Sequence, residues 1–219
     1  MIKDQLKELP KKVVDRPLSN IPGIFAVEGH LVLEEDVFHT RVEAEGNIIV
    51  NGSAERSHLS SRTGSVFLLF GSTDDTNISA KRNIYVRHSS EAGLTAGEDI
   101  IIEKSVSRSV LRAGRKIISE TDDAKIVGGR AEAQEQIAVQ ALGSSSEVTT
   151  EVVVANPQGI IVFREIFPGV VLRIGRQSHR VTSHIREGLA AVSKGELKFC
   201  LKRDDSFDEK VEKLTGVVR

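Results

Sequence analysis

Residues 94 to 118, LTAGEDIIIEKSVSRSVLRAGRKII, state one pattern twice: Leu94-Thr95-Ala96-Gly97-Glu98-Asp99-Ile100, then Leu111-Arg112-Ala113-Gly114-Arg115-Lys116-Ile117. In both copies an apolar residue, a small one, a short polar turn and an isoleucine follow one another. Anchored on the small residue, the pattern recurs at Ala44, Ser61, Ala80, Ala96, Ala113 and Ala133, in steps of 16 to 20 residues. A recurring step of this length signals stacked units, so it is read before any motif. Two residues before the anchors stand Val42, Leu59, Ile78, Leu94, Leu111 and Ala131. Four residues after them stand Ile48, Ile84, Ile100, Ile117 and Ile137, with Val66 reached by one extra residue in the second copy.

The apolar spacing is two, which is strand-like, and Gly, Asn, Ser and β-branched residues are too dense for helix. Positions −2 and 0 face one way, the next residues turn, and positions +4 and +6 face inward again. The turns carry Gly46-Asn47, Arg82-Asn83 and Glu98-Asp99, residues that tolerate tight or left-handed backbone. Such a step fits one β-solenoid coil of two or three short strands, hydrogen-bonded to the next coil about 4.8 Å along the axis. No coil buries its apolar side alone, so stacking is obligatory.

The expected fold is all-β: a right-handed parallel β-helix of about six or seven coils over residues 24–155, about 30 Å long. GHLVLEEDVFHT (29–40) reads as a degenerate early coil. Residues 1–23 are expected as an N-terminal tail or cap, 156–200 as a C-terminal β-hairpin region, and 201–219 as a terminal helix or tail. Ser206 and Glu209 have capping-box spacing before a short helix from Phe207 to Leu214, whose Phe207, Val211 and Leu214 need cover.

The ordered series from Leu94 to Val154 resembles the conserved region of the flagellar assembly protein A (FapA) family. The matching pieces are the two Ala-Gly-x-x-Ile coils, Ser109-Val110-Leu111, Ile126-Val127-Gly128-Gly129, Ile137, Leu142-Gly143-Ser144 and Thr149-Thr150. Downstream, IFPGVVLRIGRQSHRV looks like the family's closing hairpin, with Pro168-Gly169 and Ile174-Gly175; the likeness spans about residues 40 to 198. The resemblance implies a right-handed β-helix in a cytoplasmic bacterial protein, related in style to the polymer-forming bactofilins. It implies a role in polar flagellar assembly and protein-partner binding, with no catalytic residues. Family members place a long coiled coil before the closing hairpin, whereas here only ANPQGIIVFRE intervenes.

Composition narrows the function classes. Thirty Lys plus Arg stand against 31 Asp plus Glu, which removes the usual electrostatic argument for a nucleic-acid partner. Aromatics are 4% with no Trp, pointing to a thin core of aliphatic layers and to few platforms for saccharide stacking. The single cysteine, Cys200, cannot form an internal disulfide and reads as a small buried hydrophobe in a strand. No 18-residue apolar window and no apolar signal region are present, so a cytoplasmic protein without a membrane span is expected.

A search for chemistry yields little. His30, His39, His58, His88, His179 and His184 form no metal-ligand spacing, and the Gly128-Gly129 pair reads as a coil corner rather than a phosphate cradle. Asp74-Asp75 and Asp122-Asp123 carry the alternative reading, a polysaccharide-active or carbohydrate-binding β-helix. Arg108, Arg112, Arg115, Lys116, Lys125 and Arg130 could share a face, balanced by Glu98, Glu103, Glu120 and Glu132. The leading expectation is a non-enzymatic scaffold with no cofactor, no metal and no small-molecule substrate. Position +5 should point outward yet reads Ile49, Phe67, Tyr85, Ile101, Ile118 and Ala138. Stacked in register these form an outer apolar strip, covered internally, by a protein partner, or by a second copy of the chain.

Overall fold

The computed structural model describes residues 10–146 and 148–201, which contain strands and turns and no helix. The expected helix over 207–214 lies outside the described residues. The chain winds into a parallel β-solenoid with three faces. Face A begins with Lys11–Val14, His30–Leu33 and Ile48–Val50 and ends with Ile160–Ile166. Face B begins with Leu18–Ser19, and face C runs from Ile24–Val27 to Val171–Ile174. The strand Ile100–Ala113 passes through all three faces in one piece.

Register explains the repeat. On face A, Leu31, Ile48, Val66, Ile84, Ile100, Ile117, Ile137 and Ile161 lie directly over one another, each wholly buried. On face C the anchors Ala44, Ser61, Ala80, Ala96, Ala113 and Ala133 form a second column, with Val42, Leu59, Ile78, Leu94, Leu111 and Ala131 in a third. Face B supplies Leu18, Val37, Ala54, Ser72, Ser89, Val106, Ile126, Leu142 and Ile166. Burying one isoleucine of such a column stabilises by about 1.5–3 kcal/mol, and only the neighbouring rungs provide the burial.

The coils number nine rather than six or seven: 11–27, 30–44, 48–61, 66–80, 84–96, 100–113, 116–133, 136–154 and 160–174. Counted on small anchors, the first and the last two coils disappear, because Val27, Val154 and Ile174 fill the anchor column there. Nine rungs make a rod about 38 Å long.

The corners divide the polar work. Between faces C and A the second to sixth rungs each present a side chain that accepts the next rung's backbone N–H. Asn47 donates to His30 Nδ1 at 2.9 Å, Ser65 to Asn47 Oδ1 at 2.7 Å, and Asn83 to Ser65 Oγ at 3.2 Å. Asp99 then donates to Asn83 Oδ1 and Lys116 to Asp99 Oδ1, both at 3.1 Å. These Asn and Asp residues therefore act as acceptors and not as left-handed turn formers. The Ala-Gly pairs belong to the same corner: a Cβ on Gly97 would lie 2.2 Å from the Lys81 carbonyl oxygen, and one on Gly114 2.1 Å from that of Gly97.

The left-handed backbone sits instead between faces B and C. There Asn20, His39, Arg56, Asp74, Glu91 and Arg108 have φ of 45 to 53°, and Gly128 takes over at 73°. A small, buried residue follows His39, Arg56, Asp75 (itself left-handed at φ 52°), Glu91 and Arg108: Thr40, Ser57, Thr76, Ala92 and Ser109. Ser57 and Ser109 hydroxyls accept the N–H of Thr40 and Ala92 from the rung before, at 3.2 and 3.1 Å.

The two ends differ. At the C-terminal end Gln177–Arg180 pairs antiparallel with Val171–Ile174, and Ile185–Ser193 with Ile160–Ile166; Glu196–Leu201 pairs with Ile185–Ser193. At the N-terminal end no described strand pairs with the outer edge of the first rung. There Lys12 occupies the face A core column, over which its neighbour is Leu31, and its ammonium lies 4.7 Å from the Phe25 ring centre.

Candidate interaction surface

The outward column of face A runs Val13, Val32, Ile49, Phe67, Tyr85, Ile101, Ile118, Ala138 and Val162 in unbroken register. All six sequence-named strip residues thus lie on one face. Phe67 and Tyr85 stack with ring centres 4.5 Å apart and planes 9° apart. Phe67 and Ile101 are buried, whereas Ile49, Tyr85, Ile118 and Ala138 are half-buried. Burial pushes the Tyr85 phenol up, and Glu120 and Asp99 push it further, which keeps it a neutral donor.

Beside this column, at the corner between faces A and B, Leu69 is 45% and Phe70 65% exposed. Neither stands out by the strip's spacing. The signal for them is Val66-Phe67-Leu68-Leu69-Phe70, five apolar residues in a row, which outlasts the inward-outward alternation of a short strand.

The other candidates do not converge. Asp74 and Asp75 sit on the B–C corner of the fourth rung, where Asp74 pairs with Arg56 at 3.4 Å. Asp122 and Asp123 sit on the A–B corner of the seventh rung, with Asp123 on Lys104 at 2.7 Å, which together with Thr121 holds its carboxyl below the usual range. The basic residues are dispersed over two faces and two corners. Arg108 pairs with Glu91 at 2.7 Å, Arg115 with Asp99 at 2.5 Å, and Arg130 with Glu132 and Glu151 at 3.1 and 2.9 Å.

The histidines are equally scattered. His30 is a buried ladder acceptor, His88 meets Ser105 at 3.0 Å, His184 stacks on Phe167, and His179 meets the edge of Phe199. Among the described residues no group of three His, Cys, Asp or Glu side chains could hold a metal ion. A shallow groove of about 520 Å³ on the B–C corner is lined by His39, Arg41, Arg56, His58, Asp75 and Asn77, among others. Its arginines are already engaged, Arg41 with Glu43 at 3.2 Å and Arg56 with Asp74. Cys200 lies in a strand as expected, but it is exposed, on the outermost strand of the C-terminal sheet.

A family model described as the Flagellar Assembly Protein A beta solenoid domain matches residues 29–158. The chain matches no curated protein and no solved structure. Among the described residues no helix is long and apolar enough to cross a membrane.

Proposed function

The chain belongs to the flagellar assembly protein A family, and from that premise we propose that it is a non-enzymatic scaffold that presents its long sides to a protein partner. The observation that carries this reading is the outward apolar column of face A, continuous over nine rungs and flanked by exposed Leu69 and Phe70. Aligned apolar side chains on a rigid rod are suited to holding an elongated partner and to little chemistry. A cytoplasmic bacterial protein serving polar flagellar assembly is the setting that the family supports.

Complementation tests it. A strain lacking the gene should lose normal flagellation; the wild-type gene should restore it, and Leu69→Lys/Phe70→Lys should not, although that variant folds with an unchanged Tm. Full restoration by the variant would remove the surface from the function. Release of reducing sugar from polysaccharide by the purified chain would favour the alternative, a carbohydrate-active β-helix. For that reading Asp74-Asp75 and Asp122-Asp123 stand on different corners, about 14 Å apart along the axis, too far for one glycosidic bond.

A further inference from the structure

We propose that the A–B corner of the solenoid docks a cationic amphipathic segment of a partner protein, its apolar side chains on Leu69 and Phe70 and its lysines or arginines against the carboxylates on either side. The inference rests on the scaffold reading and names the chemistry of the partner. The corner has an ordered composition. In the second rung it carries Glu34, Glu35 and Asp36, in the fourth Leu69 and Phe70, and in the seventh Glu120, Asp122 and Asp123. All six of those carboxylate residues are exposed. From the second rung to the seventh, seven carboxylate residues stand on this corner against three cations, Arg87, Lys104 and Lys125, with Arg16 of the first rung and Arg164 of the ninth outside that span. Arg87 and Lys104 are taken by Glu103 at 3.5 Å and by Asp123 at 2.7 Å. Among the described residues no ion pair involves Glu34, Glu35, Asp36, Glu120 or Asp122.

The surplus is local, because the whole chain carries a net charge of only −1. The C–A corner mixes Glu98 and Asp99 with Arg115 and Lys116, and the B–C corner sets Arg56 and Arg108 against Asp74 and Glu91. The A–B corner alone places an apolar centre between two acidic ends.

Geometry sets the length of the occupant. From the second rung to the seventh is about 24 Å, which a helix of about 16 residues spans. Such a segment would carry its apolar residues in the middle and its cations at both ends. The same carboxylates repel an anionic lipid surface. They also oppose a second copy, since a two-fold contact on this corner sets acid against acid. Aromatic residues at the centre of a small interface carry much of its energy, so Phe70 is the anchor.

The test uses the full chain and fluorescent helical peptides of about 16 residues, one of leucine and lysine and one of leucine and glutamate, read by anisotropy. The Leu/Lys peptide should bind, and weaken as salt rises from about 50 to about 300 mM. Phe70→Ser should weaken it about tenfold. Glu120→Lys/Asp122→Lys should do likewise, while Glu98→Lys on the C–A corner leaves it unchanged. The Leu/Glu peptide should not bind. No binding of the Leu/Lys peptide, or equal binding by Phe70→Ser, overturns the inference. So does a dimer, or attachment to phosphatidylglycerol vesicles, that Phe70→Ser abolishes. Loss of flagella in the Leu69→Lys/Phe70→Lys strain with no peptide binding would overturn the cationic partner and leave the scaffold reading standing. Peptide binding with undisturbed flagellation would do the reverse.

Discussion

Replacing Asp99 by alanine and by asparagine separates the two interactions that this side chain makes. Asp99 is 9% exposed; its Oδ1 accepts the Lys116 backbone N–H at 3.1 Å and the Arg115 Nε–H at 2.9 Å, and its Oδ2 accepts a second guanidinium N–H at 2.5 Å. The Arg115 side chain is 50% exposed, so the ion pair is screened and contributes about 1 kcal/mol or less. The ladder bond is internal, and leaving the Lys116 N–H without an acceptor costs about 1–3 kcal/mol. Asp99→Ala should therefore lose about 2–4 kcal/mol and Asp99→Asn, which keeps an acceptor, about 1 kcal/mol or less. At about 2–4 °C per kcal/mol for a chain of this size, the alanine variant should melt about 4–16 °C lower and the asparagine variant within about 4 °C of the parent. Calorimetry gives the shift. Amide exchange at Lys116 and Ile117 shows whether the loss is local to the sixth and seventh rungs, as nearest-neighbour stacking requires. An asparagine variant that falls as far as the alanine variant would refute the ladder as the source of stability.

Three further outcomes are expected. His30 is 5% exposed and accepts the Asn47 N–H at Nδ1, and burial holds its pKa below the ordinary histidine value; His58 shifts the same way by burial and then by Arg41. The unfolded chain therefore binds protons first as pH falls below about 6.5, so stability should be full above that value and decline beneath it, levelling off once pH is below the folded pKa values; denaturant unfolding at several pH values should show the decline, shallower in His30→Asn, and an identical decline in that variant refutes the assignment. Gly129→Ala should cost about 3 kcal/mol or more, since φ is 77° and the new Cβ would lie 2.1 Å from the Ser109 carbonyl oxygen, whereas Gly169→Ala, at φ 90° with nothing within 4 Å, should cost about 1 kcal/mol, and equal losses by thermal unfolding would contradict this. Lys12→Leu should make light-scattering mass rise with concentration, because it completes an apolar column at a rung whose outer edge no described strand pairs with; a mass equal to that of the parent at every concentration counts against Lys12 as a guard.

Faces A and C were legible because their inward columns obey a simple rule. Isoleucine or valine recurs at one place and alanine at another, and the small residue lets the corner close. Face B was not legible, for a physical reason. Its column passes through Ala54, Ser72 and Ser89, and the two serines satisfy each other at 2.9 Å, so buried polar residues stand where an apolar pattern was sought. The missed rungs have the converse cause, large residues in the anchor column. The corner chemistry was ambiguous because Asn and Asp serve equally as left-handed residues and as acceptors. Here Arg56, Glu91 and Arg108, which sequence alone does not mark, hold the left-handed positions. The apolar strip was visible by spacing, whereas Leu69 and Phe70 required attention to a run that breaks the spacing.

A parallel solenoid has its most adhesive surfaces at its ends, where unpaired strand edges and a bare core cross-section are presented together. In this chain the C-terminal cross-section is not available. Every face A residue of the last rung from Ile160 to Phe163, and then Glu165 and Ile166, pairs with Ile185–Ser193, and face C pairs with Gln177–Arg180. A further parallel rung cannot add there without displacing two antiparallel strands. At the N-terminal cross-section a charged Lys12 stands where the other rungs place Leu, Ile or Val, and desolvating that ammonium opposes stacking. The ends therefore resist growth by different means, one covalently continuous with the chain and one electrostatic. What a partner can reach on equal terms in every rung is the flank. Among the described residues one flank combines an apolar column, exposed Leu69 and Phe70, and a surplus of carboxylates over cations. Recognition along the rod rather than at its tips follows from how the fold disposes of its own edges.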